Sequence, residues 1–263
     1  MSLRGPVPGI PIVALDDRLD LRALEDVHQE VCLALSQVPV DYTGGSHRSM
    51  GIMPPSRTQE ALVDYGEVIH EMTDADFATF RSLAEDPAAI DAACRADIGE
   101  EREHPLSRRQ MLWLETRFKV YFPWKVYVEL IPNRFWGDKA TRKEFTRIAR
   151  TFFPKTVAFV ETLPFLQIGR CNVMGLRAND HGTVHRDGEP EDQREPDHFL
   201  TFCPTGDKRL YLWDEETKTK TAVTGRAIWF NDHDYHGVEA DPFFRYSIRV
   251  DGIFQPDFLE SLR

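Results

Sequence analysis

The 263-residue chain has four cysteines, Cys32, Cys94, Cys171 and Cys203, widely spaced and with no CxxC pair. That argues against a disulfide framework and a cysteine-built zinc site, and predicts reduced thiols in a cytoplasmic setting. No apolar run approaches the ~18 residues needed to cross a bilayer, so no membrane span is expected. The opening stretch "MSLRGPVPGIPIVAL" has one arginine and three prolines where a secretion signal needs an apolar helix. Basic excess is also missing: 32 Lys and Arg stand against 43 Asp and Glu, a net charge of -11. Broad phosphate binding rests on Lys and Arg, so no nucleic-acid partner is expected. Internal repeats and low-complexity linkers are absent as well. A hydrophobic content of 41% remains, ordinary for one large domain with its own core.

The texture of the chain changes near its middle. The first part, residues 1–160, reads as helix-rich. In "LDLRALEDVHQEVCLAL", Leu24, Val27, Val31 and Leu35 recur at helical spacing. "TDADFATFRSLAED" starts with Thr73, a good N-cap, followed by acids. "GDKATRKEFTRIARTFF" runs into Pro154, which marks its end. The stretch "MLWLETRFKVYFPWKVYVELIP" is rich in aromatic and β-branched residues, and periodicity leaves strand and buried helix both open. Residues 161–263 read as short strands with turn residues between them, "LQIGRCNVM", "HFLTFC", "RLYLWD", "TAVTG", "RAIWFND" and "FFRYSIRVDGIF". This predicts an α+β protein with a mainly β core, a jelly-roll barrel against which the helical half packs as one unit.

Chemistry concentrates in the strand-rich part. "VHRD" sets His185 and Asp187 two apart, and an extended strand would point both to one side. A third ligand is sought in "WFNDHDYHGVEAD", because His28, His47, His70 and His104 lie in the helical half. His236 follows the end of a predicted strand, whereas His233 sits in the turn Asp232-His233-Asp234, so His236 is chosen. It lies 49 residues after Asp187. Two histidines and one carboxylate on one face of an octahedron leave three open positions, the arrangement of non-haem iron(II) oxygenases. An isolated HxD is weak evidence, and the later histidine strengthens it.

In "FFRYSIRVDG", Arg245, Ser247, Arg249 and Asp251 alternate with apolar residues. A solvated edge strand is the plain reading. Arg245, nine residues after His236, also offers a planar fork for a carboxylate, with Ser247 on the same side. Arg249 would lie ~13 Å from Arg245 along an extended strand, and is expected deeper or at the far rim, pairing with an acid.

The pattern His185-Arg186-Asp187, His236, Arg245-Tyr246-Ser247 resembles the signature of the iron(II)- and 2-oxoglutarate-dependent oxygenases. The segments around it, roughly residues 165 to 255, resemble the aspartyl/asparaginyl β-hydroxylase branch. That resemblance implies a double-stranded β-helix, with iron(II) on His185, Asp187 and His236, and 2-oxoglutarate and dioxygen as co-substrates. It implies Arg245 and Ser247 at the far carboxylate of 2-oxoglutarate, and His198 and Asn172 as further co-substrate contacts. The substrate would be an amino acid, free or in a peptide, or a related small molecule, hydroxylated with release of succinate and CO2. Asp187, the triad carboxylate, favours hydroxylation over halogenation. The competing readings are a cupin-type lyase or isomerase and a non-catalytic binding barrel. Residues 188–197 carry five acids and two prolines, a composition that fits a mobile lid or a solvated loop. Oligomeric state has no signal.

Overall fold

A computed structural model describes residues 12–40, 65–91, 95, 98, 106–133, 144–188 and 197–262. Seven α-helices and ten strands fall within them. The helices are α1 (Leu24–Leu35), α2 (Tyr65–Glu71), α3 (Asp74–Ser82), α4 (Arg108–Trp113), α5 (Arg147–Phe152), α6 (Pro154–Glu161) and α7 (Pro256–Ser261). The strands are β1 (Ile12–Ala14), β2 (Val126–Ile131), β3 (Phe165–Leu176), β4 (Gly182–His185), β5 (Phe199–Phe202), β6 (Leu210–Asp214), β7 (Thr219–Val223), β8 (Ala227–Phe230), β9 (His236–Val238) and β10 (Arg245–Phe254). None of the described helices is long and apolar enough to cross a membrane. The loop expected to act as a lid falls almost wholly outside the described residues.

Local chemistry explains the helices. Thr73 caps α3 by accepting a hydrogen bond from the Asp76 amide at 3.1 Å. In α1 the buried positions are Leu24, Val27, Val31 and Ala34, so the apolar stripe closes on Ala34 where Leu35 was expected. Pro154 does end α5, and it also opens α6 from the first-turn position where its missing N–H costs nothing. The ambiguous aromatic stretch is both things: α4, a π-turn at Leu114–Phe118, then β2.

The strands form two antiparallel sheets, one in the order β1-β8-β5-β10-β3-β2 and one in the order β4-β9-β6-β7. From β3 onward the chain crosses between sheets at nearly every connection. Apolar residues of both sheets and of α1 and α6 share one core, including Val31, Val160, Val173, Phe202, Leu212 and Val250. A separate small core lies under α2 to α4, around Ile69, Phe80 and Phe122. Strands are not confined to residues 161–263, because β1 and β2 come from the first part and complete the six-stranded sheet.

β10 and β3 pair along their whole length, and this pairing sets Arg249 opposite Asn172 and Asp251 opposite Arg170. The register then slips by one, so that Gly252 faces Ile168. A Cβ on Gly252 would stand 2.2 Å from the Gln167 carbonyl oxygen, a backbone atom that has nowhere to go. Gly252→Ala is therefore expected to destabilise by about 1–3 kcal/mol. A denaturant midpoint equal to that of the parent protein would show that the slip is not needed.

Candidate metal centre

The site begins with a strand pair. β4 ends at His185, β9 begins at His236, and the two residues are direct register partners. Their rings lie 4.3 Å apart, centroid to centroid. His185 Nδ1 donates to the Thr183 carbonyl at 2.7 Å, and His236 Nδ1 donates to the Asp234 carbonyl at 2.9 Å. These bonds fix both tautomers and leave each Nε2 lone pair directed away from the backbone, as metal-ligating histidines require. Burial, reinforced by the neighbouring His185, pushes the His236 pKa down to about 3, so its imidazole is neutral across the physiological range.

Asp187 completes the group. The strand does not persist to it, as the i, i+2 geometry would have required: β4 stops at His185 and Asp187 sits in a bend. Its position is fixed instead by its amide, which donates to the Asp232 carbonyl at 2.7 Å. Asp187 Oδ1 comes to 3.5 Å from His185 Nε2. One ligand atom from each of His185, Asp187 and His236 lies within 4.8 Å of the others. His233 is not among them. It lies against Gly188 and Asp197, in a second polar group with Asp197 and Asp232.

The donor set fits a divalent first-row ion: two imidazoles and one carboxylate, with no thiolate to favour a closed zinc site. The three residues line a cavity between the sheets. Phe230, Met174, Leu210 and Val238 make its apolar walls, and Trp124 and Tyr127 come from the first half of the chain.

No family model and no curated protein sequence matches this chain. Likeness to solved structures is faint. An oxidoreductase of the 2OG-Fe(II) oxygenase family from Burkholderia pseudomallei is 10% identical, with a TM-score of 0.30. The match covers 48% of this chain and 66% of that one, just under two thirds. A prolyl hydroxylase from Trichoplax adhaerens, solved with a hypoxia inducible factor peptide fragment, is 10% identical with a TM-score of 0.34 over 98% of this chain and 89% of that one. A cupin domain from Bordetella pertussis is 8% identical with a TM-score of 0.23, covering 31% and 78%. Similarity at this level carries no functional argument, so the reading of the site stands on its own geometry.

That geometry corrects two expectations. Arg245 does not line the cavity. It pairs with Leu176 at the end of β3, where the strands open into loops whose carbonyls need donors. Its guanidinium donates to the carbonyls of Arg177, Asp180, Glu239 and Phe243, with Nε 3.4 Å from Asp241. His198 is also turned away. It stacks on Phe254, and its Nδ1 accepts from the Phe254 amide at 3.1 Å. Ser247 and Asn172 do line the cavity, and the Asn172 Oδ1 is buried there with no hydrogen-bond partner. Arg249, expected deeper or at the far rim and paired with an acid, does pair with acids, and one of them is Asp187, whose Oδ2 lies 3.0 Å from its Nη1.

One cavity residue carried no sequence signal. Lys208 follows the turn-like "PTGD" and is buried. Its ammonium donates to Ser247 Oγ at 2.5 Å and sits 4.5 Å above the Trp124 ring. Among the described residues no carboxylate lies within ion-pair distance of it, and burial pushes its pKa down to about 8.

If His185, Asp187 and His236 form the centre, His185→Ala or His236→Ala weakens cobalt(II) binding by at least about a hundredfold, beyond the loss seen on removing outer partners. His233→Ala leaves it within a few-fold. Titration of each variant with cobalt(II) checks this, and loss in His233→Ala alone would reassign the ligand.

Proposed function

We propose that this protein is an iron(II)- and 2-oxoglutarate-dependent oxygenase built on a double-stranded β-helix, and that it hydroxylates an amino acid, free or in a peptide, or a related small molecule. The observation that carries the reading is a three-ligand group lining a cavity that also holds a buried ammonium with no carboxylate partner among the described residues. A cupin-type lyase or isomerase has use for the first feature and none for the second.

Charge supports a dianionic co-substrate. Three carboxylates, Asp187, Asp232 and Asp251, and three cations, Arg170, Lys208 and Arg249, line the cavity or pair with residues that do. Counting these six groups alone, the charge sums to zero. A divalent ion brings it to plus two, which costs heavily in a buried site. A dicarboxylate cancels that charge, with one end beside the ion and the other on Lys208 and Ser247. Ser247 and Arg249 are two residues apart on β10, ~7 Å along the strand, a span that a five-carbon dicarboxylate bridges.

In this reading His185, Asp187 and His236 hold the iron. Lys208 supplies the positive charge that Arg245 was expected to give, and Ser247 and Asn172 orient the bound acid. Trp124, Met174 and Phe230 keep water from the reacting end, which strengthens every charge interaction inside. The iron, when bound, supplies the oxygen chemistry that no side chain can perform. An amino-acid substrate is the reading favoured by the likeness of "GRAIWFNDHDYHGVEADPFFRYSIRVDG" to the aspartyl/asparaginyl β-hydroxylase branch.

The test is succinate release from 2-oxoglutarate with iron(II), screened over amino acids and short peptides, with one oxygen added to the stimulating compound. No succinate under any condition would overturn the assignment. Lys208→Met should weaken 2-oxoglutarate binding about thirtyfold to several-thousandfold, the cost of removing a buried charge partner, while Arg245→Gln acts mainly on stability.

Lys208 also sets a pH dependence with a definite sign. Its ammonium deprotonates near pH 8 in the free protein, so the 2-oxoglutarate KM rises as pH climbs above about 8, and this rise is lost in Lys208→Met. For stability, the folded-state pKa lies below the ordinary 10.5. Between about pH 8 and 10.5 the unfolded chain holds a proton that the folded one lacks, so Lys208 makes stability rise with pH across that window. Below pH 8 the buried charge destabilises, and Lys208→Met raises the melting temperature there. Equal melting temperatures at pH 7 would contradict the charge argument.

A further inference from the structure

Arg249 touches more of the site than the proposed chemistry needs. The residue is 6% exposed and bonds to three carboxylates. Nη1 donates to Asp187 Oδ2 at 3.0 Å, Nη2 to Asp232 Oδ2 at 2.5 Å, and Nε to Asp251 Oδ1 at 3.1 Å. The guanidinium carbon lies over the Phe199 ring, 4.0 Å from its centroid. Asp251 is held from its other side, where Oδ2 accepts from Arg170 Nε at 3.0 Å. The fork cannot swing: a ring covers one face and braced carboxylates fix its edges.

This bracing acts on a ligand that stands outside the strands. Asp187 lies beyond the end of β4, in a bend whose amide donates a hydrogen bond to the Asp232 carbonyl. His185 and His236, by contrast, are paired strand residues. A carboxylate with both oxygens facing a divalent ion can chelate it and take two positions. Here one oxygen faces Arg249 and the other faces His185 Nε2.

We propose that Arg249 is a positioning residue that keeps Asp187 a one-oxygen ligand and so holds three coordination positions open on the metal. The inference rests on the metal-centre reading above, and not on any turnover of 2-oxoglutarate. Without the fork, Asp187 swings to chelate and two positions remain. A bidentate co-substrate would then fill both, leaving none for a further ligand. Arg249 also joins the bend that carries Asp187 to the 231–234 turn that leads into His236, so the two halves of the centre move as one.

The experiment uses manganese(II) as the probe, with the number of metal-bound waters read from water-proton relaxation. The variants are Arg249→Lys, which keeps the charge and loses the fork, and the pair Arg249→Met with Asp232→Asn, which removes one buried charge of each sign and spares the fold an uncompensated acid. With the parent protein at three waters, the variants are expected to show about a third fewer waters per bound ion. Oxalate, which can chelate the ion and is too short to reach Lys208, is expected to bind at least about tenfold more weakly, while manganese(II) affinity holds or rises. A purely structural role would lower the melting temperature and leave waters per bound ion unchanged, and that result overturns the proposal. A parent protein that binds no manganese(II) overturns it together with the metal centre. A parent that releases no succinate, in variants that show the water loss, supports the proposal while the oxygenase reading falls.

Discussion

Two imidazoles share one ion only if two strands keep their register. Here that register is the pairing of His185 with His236 across β4 and β9. A slip of one residue in either strand would turn its histidine to the opposite face, so the centre exists only while the four-stranded sheet is intact. The neighbours of that pair depend on it in turn. Leu212 of β6 pairs with His236 from the other side, and Lys208 reaches the cavity from just ahead of the same strand. The tautomers, the closure of the cavity and the place of the buried ammonium follow from one strand alignment.

The six-stranded sheet supplies the other wall and most of the charge. β10 brings Ser247 and Arg249 to the cavity, and β3 brings Arg170 and Asn172. Buried charges are seldom retained for stability, because desolvation offsets their attraction. Their value here lies in direction. Each arginine is held by acids, so neither can drift to an incoming anion, and the lysine is left as the cation able to meet one. Such a division leaves the carboxylates braced around Arg249 and Lys208 without one among the described residues.

Much of this was legible in the residues. The alternating strands, the Thr73 cap and the grouping of His185, Asp187 and His236 all follow from spacing and residue type. The depth of the arginines did not. Period-two alternation places Arg245, Ser247 and Arg249 on one face, but only the length of the partner strand shows which of them meets the cavity and which meets the frayed end of the sheet. β3 ends opposite Arg245, and no feature of β10 records that. Lys208 was hidden because a lysine after a turn is ordinarily solvated. Its burial depends on Trp124 and Ser247, 84 and 39 residues away. His198 was misplaced because its stacking partner, Phe254, belongs to the far end of β10.

β1 is three residues long, yet it decides when the protein can finish folding. Ile12 pairs with Phe230 and Ala14 with Ile228, so the edge of the six-stranded sheet is closed by segments more than two hundred residues apart. β2 likewise waits for β3. Such non-local pairing slows folding, because loop-closure entropy is lost before the contacts that repay it form. During synthesis β2 emerges before β3 and β1 long before β8, so both strands of the first half are made before their partners. Any ion shared by His185 and His236 would likewise have to wait for the pairing of β4 with β9, strands joined only after β5 to β8 have been made.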